Sequence, residues 1–224
     1  MNFDTRPHPE ATMYLADRRI CTQTAAFQRR STLGAGPFGT LRQLTETTLQ
    51  PAAPFNLPPD AAVLLLPVAG GLEYACGAET GFLEPGQAGW FSPPPGATLT
   101  VLNPYETAAI HLLHLERAFR SDAEAPGLAV FSFDLTRKNA LLPLGEPSLG
   151  YIGRYGGREE GTYRVLPRPG DPAGRVFVFV LNGVFEVANR LLHEGDGLAL
   201  TYAGAGEVDF EALSNEALLL LFDC

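Results

Sequence analysis

Short apolar runs of strand length alternate with turn residues along the chain. The runs cover 61–68, 98–102, 108–115, 128–133, 176–181, 197–202 and 217–222. Between them lie 24 glycines and 19 prolines, scattered rather than gathered into one linker. Many short strands punctuated in this way predict an all-β sandwich or barrel. Some runs are apolar at consecutive positions, as in Val63-Leu64-Leu65-Leu66 and Val176-Phe177-Val178-Phe179. Such strands are expected where a sheet is covered on both faces. Patterns of helical period are scarce, so only short helices or turns are predicted.

The two halves echo each other. Val68-Ala69-Gly70-Gly71 is followed by Leu72-Glu73-Tyr74-Ala75 and then by Glu84-Pro85-Gly86-Gln87. Leu181-Asn182-Gly183 is followed by Val184-Phe185-Glu186-Val187 and then by Glu194-Gly195-Asp196-Gly197. The repeated order of strand, glycine turn, strand and Glu-Gly turn predicts two similar barrels in tandem. The loop-like stretch 116–127 places an N-terminal barrel over 1–120 and a C-terminal barrel over 121–224.

Composition narrows the function classes. The 224 residues suffice to bury real cores. Sixteen Lys and Arg against 25 Asp and Glu give a net charge of −9, with no basic run. That balance argues against nucleic acid as a partner and against a polybasic membrane anchor. Residues 1–10 lack the apolar core of a secretory leader, and no apolar run is long enough to span a bilayer. Cys21, Cys76 and Cys224 form no Cys-x-x-Cys pair, so neither a disulfide framework nor a zinc cage is expected. A cytoplasmic protein fits these features.

A Pro-Gly turn at Pro85-Gly86, a Pro-x-Gly at Pro94-Pro95-Gly96 and a closing Asn103 resemble a cupin motif, whose histidine position here holds Leu99. The rest of the chain is similar to one cupin branch, the pirin family. The resemblance is carried by Tyr14-Leu15-Ala16-Asp17-Arg18-Arg19, Phe38-Gly39-Thr40-Leu41-Arg42, Gly81-Phe82-Leu83-Glu84-Pro85-Gly86-Gln87-Ala88-Gly89-Trp90, Asp196-Gly197-Leu198-Ala199-Leu200 and Leu218-Leu219-Leu220-Leu221-Phe222-Asp223, in family order. It implies a bicupin, two antiparallel β-barrels packed face to face. It also implies one metal site, usually iron, in the N-terminal barrel, held by a His-x-His and a His-x-Glu pair. Counting from Gly71 and Gly96, those four positions fall on Leu57, Pro59, Leu99 and Val101. None offers a side-chain donor, and no histidine occurs between Cys21 and Ile110. A metal held by N, O and S donors cannot sit in that set, so no metal and no other cofactor is expected. What remains is a possible apolar pocket lined by Leu57, Pro59, Val63, Leu65, Trp90, Leu99 and Val101, or a barrel filled by the same side chains. Pro93-Pro94-Pro95 stiffens its rim in either case.

No other constellation carries a chemistry. His8 and His193 read as solvated. His111 and His114 fall on one strand at odd separation and so face opposite sides. At most one enters the barrel, as a buried histidine held by a hydrogen bond. One histidine with Glu73 or Cys76 would make an unusual metal site, short of ligands. Gly34-Ala35-Gly36-Pro37-Phe38-Gly39 spells G-x-G-x-x-G but leads into a strand, where no helix N-terminus can hold phosphate. Glu159, Glu160, Arg154, Arg158, Arg164 and Arg168 read as a solvated face with local ion pairs. No catalytic residue is assigned. The expected role is non-catalytic, binding an unknown protein partner or a small apolar ligand. The alternative is an enzyme: an oxygenase similar to quercetin 2,3-dioxygenase with a relocated metal site, or a metal-free isomerase.

Overall fold

A computed structural model of the chain describes residues 9–33, 36–57, 60–94, 96–119, 127–145, 150–168 and 170–224. His8, Pro59, Gly34, Ala35, Pro95 and the expected boundary at 120 and 121 lie outside the described residues. Twenty-one strands follow one another: β1 (Glu10–Tyr14), β2 (Ile20–Gln23), β3 (Phe27–Thr32), β4 (Leu41–Leu49), β5 (Pro54–Leu57), β6 (Ala62–Ala69), β7 (Leu72–Cys76), β8 (Glu79–Leu83), β9 (Gln87–Ser92), β10 (Leu99–Leu102), β11 (Ile110–Arg117), β12 (Gly127–Ser132), β13 (Leu141–Pro143), β14 (Gly150–Tyr155), β15 (Glu160–Val165), β16 (Gly174–Asn182), β17 (Val184–Val187), β18 (Arg190–His193), β19 (Gly197–Tyr202), β20 (Gly206–Ala212) and β21 (Ala217–Asp223). Every apolar run named above falls on a strand. A single turn of 3₁₀-helix, Ala16–Arg18, is the only helix among the described residues. No helix there is long and apolar enough to cross a membrane.

The strands form two compact units. The first barrel takes Arg19–Asp134 with Leu144–Ser148, and the second takes Met1–Arg18, Leu135–Pro143 and Leu149–Cys224. The first holds a seven-stranded sheet, β12-β9-β6-β11-β4-β3-β2, and a four-stranded sheet, β5-β10-β7-β8. The second holds a six-stranded sheet, β1-β19-β16-β21-β14-β13, and a four-stranded sheet, β15-β20-β17-β18. The order β9-β6-β11-β4 recurs as β19-β16-β21-β14, and β5-β10-β7-β8 recurs as β15-β20-β17-β18. An eight-strand core is therefore duplicated, as the echo between the halves predicts. The matching hairpins turn at Gly70 and Gly183, whose φ of +76° and +81° is a conformation that favours glycine.

The grouping departs from a single cut at residue 120. β1 pairs with β19, setting Glu10 opposite Thr201, although it lies at the other end of the chain. β12 returns to the first barrel and pairs with β9, setting Leu128 opposite Phe91. Each covers a sheet edge that would otherwise expose unpaired backbone groups.

Side-chain alternation sets what each barrel encloses. On β16, Val176, Val178 and Val180 face the second core, where Tyr155, Phe185 and Phe210 pack edge to face. The first core gathers residues from both of its sheets, among them Leu49, Phe55, Leu72, Leu83, Phe91 and Leu112. β6 is buried at every position from Ala62 to Pro67, so both of its faces are covered, in keeping with its unbroken apolar run.

Candidate functional site

The described positions to which the resemblance assigns metal ligands lie on β5 and β10, which are antiparallel neighbours with Leu57 opposite Leu99. Leu57, Leu99 and Val101 point inward and are at most 1 % exposed. Val63 and Leu65 join them from β6, so five of the six described residues expected to line an apolar pocket converge in one packed core. Trp90 does not. Its neighbour Phe91 enters the core and packs edge to face on Tyr74, with ring centroids 4.8 Å apart. Successive strand residues face opposite ways, so Trp90 turns outward, its indole N–H donating to the Leu144 carbonyl and its ring facing Arg117.

The barrel interior is not apolar throughout. Ile110 and Leu112 of β11 belong to the core, and by the same alternation His114 and Glu116 point inward while His111 points out. The register places Leu65 and Thr45 beside His114, and Ser31 of β3 beside Thr45. One step along, Arg29 stands beside Thr47 and Leu112. Ser31, Thr45 and Gln43 satisfy one another with hydrogen bonds of 2.8–3.0 Å. The deeper groups do not. His114 is fully buried, with its ring 5.6 Å from Phe55 and neither nitrogen hydrogen bonded. Its Nε2 lies 3.6 Å from Glu116 Oε1, within ion-pair range but beyond hydrogen-bond length. Burial holds the His114 pKa below the usual histidine range; Glu116 opposes that shift and Arg29 adds to it. The histidine is therefore neutral, with one N–H and one lone pair to satisfy. The nearest group able to supply the hydrogen bond expected for a buried histidine is Glu116, which stands just beyond hydrogen-bond length.

Thr47 Oγ1 is likewise buried without a partner. Arg29 is half-buried, with its guanidinium 4.4 Å above the Phe55 ring and 5.6 Å from Phe27. It makes no hydrogen bond or ion pair among the described residues.

The remaining candidates stand apart. His111 lies on the outward face, its Nε2 3.7 Å from Glu46, which also pairs with Arg19. Glu73 is exposed and, at odd separation from the inward Cys76, points out of the barrel, so it cannot join His114. His193 is exposed at the end of β18. Arg154 and Arg158 make the local pairs expected of them, with Glu216 and Glu211. On the outer face of the second barrel, Glu160, Glu211 and Glu186 lie directly beside one another across three strands. They edge a groove of about 700 Å³ that also reaches Arg190 and Tyr202. Neither this row nor the polar patch stands out in the sequence, because each is assembled from separate strands.

A family profile for the quercetinase C-terminal cupin domain matches residues 164–224. The bacterial pirin YhhW from Escherichia coli, solved in complex with nickel(II), superposes with a TM-score of 0.79 at 17% identity, over 96% of this chain and 98% of that one. YhaK from Escherichia coli gives 0.70 at 17% identity, over 87% and 93%. Quercetin 2,3-dioxygenase from Acinetobacter baumannii gives 0.67 at 11% identity, over 97% and 87%. No curated protein matches. The chain has the bicupin fold of these structures, and its C-terminal part matches the quercetinase cupin profile.

The pirin fold implies a metal in the first barrel, and the described residues do not fit one. Leu57, Leu99 and Val101 have no donor atoms. His114 and Glu116 do spell a His-x-Glu pair, but on β11 rather than β10, and the Arg29 cation acts on both. No group of three or more His, Cys, Asp or Glu converges among the described residues, fewer donors than such a site requires. The second barrel provides an internal reference. Counting back from Gly70 and Gly183 makes Leu65 equivalent to Val178 and Val63 to Val176. His114 then corresponds to Leu221 and Glu116 to Asp223. Asp223 accepts a 2.8 Å hydrogen bond from the hydroxyl of Tyr163, which stands where Leu57 stands in the first barrel. The polar interior is thus satisfied in one barrel and left open in the other.

Proposed function

We propose that this pirin-type bicupin works by binding and not by metal-dependent oxygenation, its first barrel serving as a module for a small organic ligand or a protein partner. The observation that carries this reading is the sealing of Leu57, Leu99 and Val101 into the core at the positions where the family places its ligands. Restoring a metal there would require side chains with N, O or S donors and room for the ion, and the packed hydrocarbon offers neither. The same reading places the protein in the cytoplasm, consistent with three unpaired cysteines. Its acidic balance favours partners other than nucleic acid.

The test is metal analysis by inductively coupled plasma mass spectrometry on tag-free protein, prepared with and without added iron, together with oxygen uptake in the presence of quercetin. Metal well below one equivalent in both preparations and no flavonol-dependent oxygen uptake are expected. Near one equivalent of a transition metal would overturn the reading and direct attention to His114 and Glu116.

A further inference from the structure

The polar patch inside the first barrel has an excess of unmatched donors. A neutral His114 contributes one N–H, Arg29 contributes Nε–H and a charge that feels Glu116 but makes no ion pair with it, and Thr47 contributes a hydroxyl. Leaving a buried donor unmatched is costly, so three beside one another call for an acceptor-rich group. The guanidinium prefers a planar oxyanion that accepts two parallel hydrogen bonds. Phe27 and Phe55, against which Arg29 lies, form an apolar wall that would hold a hydrocarbon tail. Glu116 already places one negative charge in the same interior, which disfavours a phosphate dianion and leaves a single-charge ligand. Arg29 is half-buried on β3, one strand from the sheet edge formed by β2, so it is the part of the patch nearest solvent, with Thr47 and His114 sealed behind it.

We propose that the polar side of the first barrel's interior, with Arg29 at its rim and Thr47 and His114 behind it, binds a small organic monocarboxylate. The carboxylate lies on the Arg29 guanidinium and takes the Thr47 hydroxyl and the His114 N–H. The tail packs on Phe27 and Phe55. This rests on the reading that the first barrel is a binding module, and it adds the ligand's chemistry and the residues that recognise it.

The test is isothermal titration calorimetry on the full chain, freed of carboxylate buffers, with sodium propionate as the probe. Sodium chloride at equal ionic strength and the neutral isostere propionamide serve as controls. A ligand of five heavy atoms bound with ordinary efficiency should have a dissociation constant of about 0.1–1 mM. Arg29→Gln should weaken it tenfold or more and Thr47→Val severalfold, and neither control should bind. Neither substitution removes an existing hydrogen bond, so both variants should remain folded. Absence of propionate binding to the wild type, or binding unchanged in Arg29→Gln, would overturn the proposal. Metal content measured on the same samples separates the two failures. Metal-free protein that ignores propionate refutes the ligand assignment alone, whereas stoichiometric metal refutes the binding-module reading itself.

Discussion

Replacing His114 by leucine should stabilise the protein, an unusual expectation for a fully buried position. Both ring nitrogens lie in the core without hydrogen bonds, and each orphaned polar atom costs about 1–3 kcal/mol. Leucine fills a similar volume, and Leu221 occupies the equivalent position of the second barrel without strain. Loss of the 3.6 Å contact with Glu116 opposes the gain, leaving a net stabilisation of about 1 kcal/mol at about pH 7.5. The pH dependence has a definite sign. The folded-state pKa of His114 is depressed by burial, so below the ordinary histidine value of 6.5 the unfolded chain binds a proton that the folded chain refuses. Stability is therefore lost as pH falls through that value. At about pH 5.5 the loss approaches ~1.4 kcal/mol for a histidine that stays neutral when folded. The variant lacks this loss, so its advantage should widen in acid, by no more than that amount. Urea unfolding of wild type and His114→Leu across this range measures the difference, with Glu116→Gln in both backgrounds as the control for the carboxylate nearest His114. A variant less stable than wild type at neutral pH, or an advantage that does not widen in acid, would refute the assignment of His114 as a neutral, unpartnered group.

Other expectations follow from single contacts. Leu99→Ala should lower stability by about 2–5 kcal/mol in urea unfolding, since Leu99 is fully buried where a ligand-bearing cupin would carry a histidine. Gly96→Ala and Gly183→Ala both force φ near +80°, but only at Gly183 would the new Cβ collide, 2.4 Å from Ser214 Oγ. The first should cost about 1 kcal/mol and the second clearly more, read as thermal midpoints. Glu186→Lys should stabilise by about 0.5 kcal/mol, by placing a cation beside Glu211 in a row of carboxylates, and the gain should shrink in high salt. One thiol of three should react quickly with a disulfide reagent in native protein: Cys21 is exposed, whereas Cys76 and Cys224 are buried and burial raises both pKa values, that of Cys224 to about 12.

Much of the architecture is legible from local pattern because strands declare themselves through apolar runs and glycine turns, and the duplicated hairpin declares itself through repetition. β1 escapes such reading: Glu10-Ala11-Thr12-Met13-Tyr14 is largely exposed and carries no periodic signal, and its place depends on an open edge at β19, far along the chain. Trp90 shows how narrow the margin is within a strand. It borders the core residue Phe91 in sequence yet faces the other way, because a one-residue step inverts every side chain. The absence of histidine from residues 21–110 is read directly from the sequence, whatever the exact positions of the ligands in the family.

The polar patch is a different kind of feature. Arg29, Thr47 and His114 sit on three strands and look ordinary singly, and only the pairing register brings them to one face of one sheet. One local signal was available: His114 and Glu116 are two residues apart on a strand, so both must point the same way, whichever way that is. The duplicated core then gives that signal its meaning. At equivalent positions the second barrel carries Leu221, and an Asp223 hydrogen bonded by Tyr163. A barrel of this size can therefore close its interior with apolar residues or with a partnered carboxylate. The first barrel does so at Leu57, Leu99 and Val101, which are sealed, but retains a histidine, a threonine and an arginine whose side chains make no hydrogen bond among the described residues. Burial of unmatched donors opposes folding. Their presence in the first barrel, when the second carries the satisfied alternative, is the observation behind the proposed recognition of a molecule from outside the chain.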